Sequence, residues 1–168
     1  METLVTTSKR FHRFPEALYA TDVKFQPANR PSGTFADAKR YFSGKHKLYG
    51  YKVDASVSPS GKYLLLSSHR SGAVSDLTMF VDRLETHRIN LRKTPTDRQI
   101  VDVGEGGTQY PESWAVIMDK GYEGVDDAVR SIRPKKKSRG SILSRMEIDR
   151  NERVSSDRVI VENLFGRT

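Results

Sequence analysis

The sequence contains no cysteine. Disulfides, thiolate zinc sites and a cysteine nucleophile are therefore excluded, and the composition fits a reducing compartment. It also lacks any apolar run near the about 18 residues that a membrane helix needs, so no membrane span is expected. Residues 1–15 carry Lys9, Arg10, His12 and Arg13 without a long apolar block. They read as an N-terminal extension and not as a signal peptide. Histidine is scarce. His12, His69 and His87 are scattered and expected to be exposed, and His46 has no thiolate or second histidine nearby with which to hold zinc. The glycine-rich Gly104-Glu105-Gly106-Gly107 lacks the Lys-Ser/Thr of a phosphate-binding loop, so nucleotide binding is not expected. No internal repeat is visible.

What the chain has is charge. Of its 168 residues 30% are charged against 36% hydrophobic, and the formal net charge is +8. The length and balance suit one folded domain, here residues 16–168, rather than a disordered chain. A cationic surface attracts polyanions and releases their counterions, which makes DNA a candidate partner; an ordinary soluble surface rich in lysine is the competing explanation. The run Pro134-Lys135-Lys136-Lys137-Ser138-Arg139 is the densest basic segment. It could contact DNA, act as a nuclear-import signal, or be a solvated loop.

Periodicity gives a coarse order of elements. Ala17, Tyr19, Thr21, Val23 and Phe25 alternate as a strand over residues 16–27. Residues 28–44, rich in Pro, Gly, Asn and Ser, read as a loop. Tyr49, Tyr51 and Val53 mark a second strand over 47–58. Pro59-Ser60-Gly61-Lys62 is a turn, and residues 63–68 return as a third strand in a hairpin. Val74, Leu77, Phe80, Val81 and Leu84 then recur at helical spacing, with Ser71 or Ser75 available as the cap. Residues 92–112 read as irregular. Trp114–Met118 is a short wholly apolar strand of the kind covered on both faces. Val125–Ile132 reads as a short helix and 133–140 as a basic loop. A last helix is expected from Ser155 or Ser156 onward, with Asp157 in its first turn, although the β-branched Val159-Ile160-Val161 opposes helix there. Strands, a helix, a strand and a helix in this order make an α/β domain.

Three acids stand out. Asp22 ends the apolar approach Leu18-Tyr19-Ala20-Thr21. Asp119 follows Trp114–Met118 and opens the turn Asp119-Lys120-Gly121-Tyr122. Glu162 lies one helical turn after Arg158, which could pair with it or meet a phosphate. A lone aspartate at a strand end is usually a turn former or a cap. Three that converge could hold Mg²⁺ or Mn²⁺, which favour oxygen ligands. In-line attack on a phosphodiester is served by two such ions roughly 4 Å apart. Asp22 would then bridge both, with Asp119 and Glu162 each holding one.

Four blocks carry a family resemblance. Tyr41-Phe42-Ser43-Gly44-Lys45-His46-Lys47 is similar to the segment before the second strand of DDE-superfamily endonucleases of the Harbinger transposase type. Ser71-Gly72-Ala73-Val74-Ser75-Asp76-Leu77-Thr78 resembles that family's entry into its first core helix. Asp119-Lys120-Gly121-Tyr122 resembles the motif of its second catalytic aspartate, and Asn151, Arg158, Glu162, Phe165 and Gly166 resemble its final block. The likeness runs in order from about Ala17 to Arg167. It implies a ribonuclease-H-like fold, a mixed sheet flanked by helices, cut short in the C-terminal helix. It also implies a catalytic, divalent-metal-binding triad of Asp22, Asp119 and Glu162. DNA would be the substrate, with Lys45, Lys47, Lys135, Lys136, Lys137 and Arg158 contacting it, in a nuclear protein.

The chain departs from the pattern in several places. Val23-Lys24 follows Asp22 where the family often has a small residue and threonine. Ser75 stands where a histidine commonly precedes the entry aspartate, leaving Asp76 a secondary role. The family's upstream helix-turn-helix module is not seen, so a protein partner could supply DNA recognition. Two alternatives therefore stand beside a nuclease or transposase core: a degenerate or domesticated relative that binds nucleic acid or protein without catalysis, and an incompletely folded fragment.

Overall fold

A computed structural model describes residues 9–166. Residues 1–8 of the expected extension, and Arg167 and Thr168, lie outside the described residues. The centre is a seven-stranded mixed sheet. Its long strands are β1 (Ala17–Pro27) and β3 (Leu48–Val57), antiparallel and in register from Ala20↔Val57 to Pro27↔Gly50. Three short strands, β2 (Phe42–Ser43), β4 (Tyr63–Leu66) and β5 (Arg70–Ser71), pair antiparallel with β3. On the far side of β1 the direction changes. There β6 (Ala115–Ile117) runs parallel to β1, and β7 (Ser131–Ile132) runs parallel to β6. This is the mixed sheet of a ribonuclease-H-like α/β fold.

Helices cover both faces. On one side α2 (Asp76–Val81) and α3 (Leu84–Leu91) pack over Tyr19, Val116 and Met118. On the other, the 22-residue α4 (Arg145–Gly166) buries Val154 and Val161 against Ala20, Val57, Ile117 and Ile132. Both faces of β6 are therefore dry, which is why its sequence is a continuous apolar run instead of an alternating one. Phe11 and Phe14 join the α4-side core. They are held there because Asp157, on α4, accepts the backbone N–H groups of Arg13 and Phe14 at 2.9 and 3.0 Å. Charge-assisted bonds to a buried carboxylate are strong, so Asp157→Ala is expected to cost about 2–3 kcal/mol and to raise amide exchange first in residues 10–15. An unchanged thermal midpoint with unchanged exchange would refute this.

Several local expectations are corrected. Residues 28–44 contain α1 (Phe35–Lys39), started by a capping box in which Thr34 and Asp37 satisfy each other's backbone N–H. The helix expected from Val74 to Leu84 begins as foreseen on the Ser75 cap, whose Oγ accepts the Thr78 N–H at 3.0 Å. It breaks at Asp82-Arg83 because the Arg83 side chain turns into the sheet to meet buried Asp54 at 2.6 Å. Val125–Ile132 is not a helix. It makes a single turn at Val125–Val129, then Ser131 and Ile132 pair with Val116 and Ile117. Tertiary pairing along an open sheet edge outweighed one turn's worth of apolar spacing. Helix α4 starts ten residues earlier than Ser155. Ser144 and Glu147 form a second capping box, Ser144 N–H to Glu147 Oε2 at 2.9 Å and Glu147 N–H to Ser144 Oγ at 3.3 Å. The β-branched run Val159-Ile160-Val161 is tolerated because Val161 is fully buried against the sheet and Ile160 packs against the same core, while Val159 faces out.

Candidate active site

The pleat decides where the acids point. Successive side chains of a strand face opposite sides. Ala20 and Ile117 face α4, so Asp22 and Asp119, each two residues further on, face α4 as well. Ala20 and Ile117 are register partners in parallel strands, which sets the two aspartates side by side at the same end of the sheet. Helix α4 crosses this end. Its buried residues Val154, Asp157 and Val161 fix its rotation, and that rotation turns Arg158 and Glu162 toward the aspartates.

The three acids therefore converge, and they converge on one guanidinium. Arg158 donates to Asp119 Oδ1 at 2.7 Å and to Glu162 Oε1 at 2.9 Å, and it lies 3.6 Å from Asp22 Oδ2. The Arg158–Glu162 pairing anticipated from their spacing is present. Asp22 is the most enclosed of the acids, and Glu162 stands at the solvent edge. Burial pushes the Asp22 carboxyl above its usual range. The Val23 N–H and Arg158 oppose this shift, while the neighbouring Asp119 and Asp76 add to it. Arg158 Nε is buried with no acceptor.

Tyr122 closes the floor. The Tyr122 N–H returns to the Asp119 carbonyl at 3.2 Å, which makes the turn that presents the aspartate. Its ring packs edge-on against Phe80. Burial, with Asp22, Asp54, Asp76 and Asp119 nearby, holds its phenol well above the ordinary range, so it stays protonated and serves packing rather than nucleophilic attack.

Behind the site lies a buried polar network that periodicity did not reveal. Asp54 accepts from Thr21 Oγ1 at 3.0 Å and from Arg83 at 2.6 Å, and Tyr19 Oη bonds His87 Nδ1 at 2.8 Å. His87, expected on the surface, is fully buried and stacked on Phe80. The missed signal was in β3 itself, where Lys52, Asp54 and Ser56 alternate as polar residues on a buried face. Lys52 reaches Asp76 at 2.9 Å, and Lys45 approaches the other Asp76 oxygen at 3.7 Å. Asp76 is thus held by two lysines and lies near enough to Asp22 to add to the negative field there.

The expected DNA-contacting lysines lie at this same end of the sheet. Lys45 and Lys47 are exposed in the tight turn before β3, where Lys47 adopts a positive φ of 57°. Lys135, Lys136 and Lys137 follow the C-terminal end of β7 and are exposed. Asn151 of α4 pins this segment by bonding both backbone groups of Lys135, at 2.8 and 3.0 Å. Lys135 and Lys136 pair with Glu147 and Glu123 at 3.4 and 2.8 Å.

The donor set suits a hard divalent cation: three carboxylates share a single positive side chain, and the most buried of them is left short of compensating charge. The spacing is that of an ion-pair cluster centred on Arg158. Among the described residues no three acidic or imidazole groups stand close enough together to ligate one ion directly.

Comparison with known proteins places the chain. The model of the DDE superfamily endonuclease family matches residues 20–168. The chain is also similar to a probable transposase for insertion sequence element IS702 from Microchaete diplosiphon, at 26% identity over 153 residues. That alignment covers 90% of this chain and 46% of the relative, so the chain spans about half the relative's length. No solved structure matches. The chain belongs to the DDE superfamily endonucleases.

Proposed function

We propose that this member of the DDE superfamily endonucleases is the catalytic core of a divalent-metal-dependent DNA nuclease or transposase, with Asp22, Asp119 and Glu162 as its triad. The observation that carries this reading is the meeting of three acids, remote in sequence, at one end of the sheet within reach of a single guanidinium. Asp22, Asp119 and Glu162 would hold Mg²⁺ or Mn²⁺. When bound, such an ion supplies the positive charge that polarises a scissile phosphate and makes an attacking hydroxyl more acidic. The protein's own groups do the rest. The acids fix the reacting centre between β1, β6 and α4. Tyr122 and Phe80 keep water from beneath it. Lys45 and Lys47 on one flank, and Lys135, Lys136 and Lys137 on the other, would hold the DNA backbone in place by its phosphates. Attack by water gives a nick; attack by a DNA 3′-hydroxyl gives strand transfer. Recognition of a particular sequence would come from a protein partner or a further segment. In a nucleated cell the run around Lys135–Lys137 would also serve as the import signal.

A second reading has its own support. The acids clasp Arg158 instead of standing open, as would suit a relative that has kept the fold to bind nucleic acid without cutting it. The two readings differ in one assay. Purified protein incubated with supercoiled DNA should nick it in Mg²⁺ or Mn²⁺ and not in EDTA. If instead DNA is bound equally with and without metal, equally by Glu162→Ala, and never cut, the binding-only reading holds.

A further inference from the structure

Arg158 is placed unlike a residue whose task is to steady a helix. Its two terminal nitrogens are spent entirely on the three acids, at 2.7, 2.9 and 3.6 Å. Its Nε is buried and finds no acceptor. A guanidinium held for stability normally satisfies its remaining N–H on a backbone carbonyl, as Arg130 does here with Glu105 and Ser113. Arg158 instead sits where a cation is needed and is imperfectly bonded there. One positive charge faces three carboxylates, so removing it would leave them mutually repelling in a half-buried pocket. The way out is open, because Glu162 on the solvent side is more than half exposed.

We infer that Arg158 is the resident counter-ion of the acidic cluster and exchanges with the divalent cation, so that loading the site drives the guanidinium out and emptying it draws the guanidinium back. This rests on the metal-binding reading above and adds a regulation to it. The acids stay assembled without metal, and the cation must compete with a tethered charge for the same oxygens. A competitor of this kind lowers the apparent affinity by the fraction of sites it leaves free. The released guanidinium, carried on the rim of α4, then faces solvent beside the reacting centre.

The test is calorimetric titration of Mn²⁺ into the metal-stripped protein, without DNA, for wild type, Arg158→Gln and Arg158→Lys, with thermal midpoints in EDTA and in Mn²⁺. Glutamine keeps the length and removes the charge. Exchange predicts that Arg158→Gln binds Mn²⁺ about tenfold more tightly, melts lower in EDTA, and recovers that loss when Mn²⁺ is added. Arg158→Lys, which keeps the charge but cannot reach three acids at once, should also bind more tightly than wild type; a lysine variant as weak as wild type would mean simple long-range repulsion and would overturn exchange. Equal or weaker binding by Arg158→Gln overturns the exchange while leaving the metal site standing. Absence of Mn²⁺ binding in all three proteins overturns the exchange together with the proposed function.

Discussion

Replacing Asp119 by asparagine is expected to lower Mg²⁺-dependent cleavage of DNA by on the order of 10³-fold, the scale on which losing one preorganised charge at a reacting centre is felt. The substitution keeps the shape of the side chain and removes its charge. It should leave the fold intact, because the turn is made by the backbone bond from Tyr122 to the Asp119 carbonyl and not by the carboxylate. The core beneath, Val116, Ile117 and Met118, is untouched. Arg158 exchanges a charged acceptor at position 119 for a neutral amide oxygen and keeps Glu162 and Asp22. The expected result is therefore a protein with a normal thermal melt, normal salt-dependent DNA binding and almost no nicking. Cleavage within a few-fold of wild type would remove Asp119 from the triad.

The largest effect on stability is expected at Arg130. This guanidinium is 1% exposed and organises the whole irregular segment between α3 and β6. It grips Asp102 through both terminal nitrogens at 2.5 and 3.0 Å, and it donates to the carbonyls of Glu105 and Ser113 at 2.7 and 3.0 Å. Lys93 meets the same Asp102 at 2.6 Å while lying 4.7 Å above the Trp114 ring. Removing the guanidinium leaves the buried Asp102 with Lys93 as its one cationic partner and takes the Arg130 donors from two carbonyls. Arg130→Met is expected to cost about 3–5 kcal/mol and to lower the thermal midpoint by on the order of 10 °C. A drop of less than about 2 °C would contradict it. The pair also has a pH signature. Hydrogen bonds from Arg130, then from Lys93, hold the Asp102 carboxyl well below the usual carboxylate range. With its folded pKa depressed, Asp102 contributes its full stability above the unfolded value of about 3.9 and loses it as the pH falls below that toward the folded value. Wild type should therefore lose stability more steeply than Arg130→Met between about pH 4 and pH 2.

Much of this site was readable in the chain, and the reasons differ by residue. The position of Asp119 at the end of a buried strand was legible because a strand covered on both faces must be apolar throughout, so the run Trp114–Met118 marks where it stops. The Arg158–Glu162 spacing gave their pairing as soon as the segment was helical. Their convergence with Asp22 was not readable from periodicity, since it depends on Ala20 and Ile117 falling in register across a parallel pair. The family resemblance supplied that order. The start of α4 was written in Ser144-Arg145-Met146-Glu147 as a capping box, but the basic, breaker-rich residues before it obscured the signal. Strand β7 and the break at Arg83 could not be read locally at all. The first exists because β6 offers an unpaired edge, the second because Asp54 is buried elsewhere and needs a cation. Ala17 illustrates the same limit. Simple alternation puts it with Tyr19, yet a register shift between the two sends Ala17 to the α4 side.

The metal-binding role proposed for Asp22, Asp119 and Glu162 is decided by where a cation sits. Its most direct test is anomalous diffraction from crystals of the protein grown with Mn²⁺. Manganese is expected within ligand distance of carboxylate oxygens of Asp22, Asp119 and Glu162, whether as one ion or as a pair bridged by Asp22, with the Arg158 guanidinium displaced from between them. Manganese bound elsewhere, with Arg158 still clasped by the three acids at saturating Mn²⁺, would contradict it.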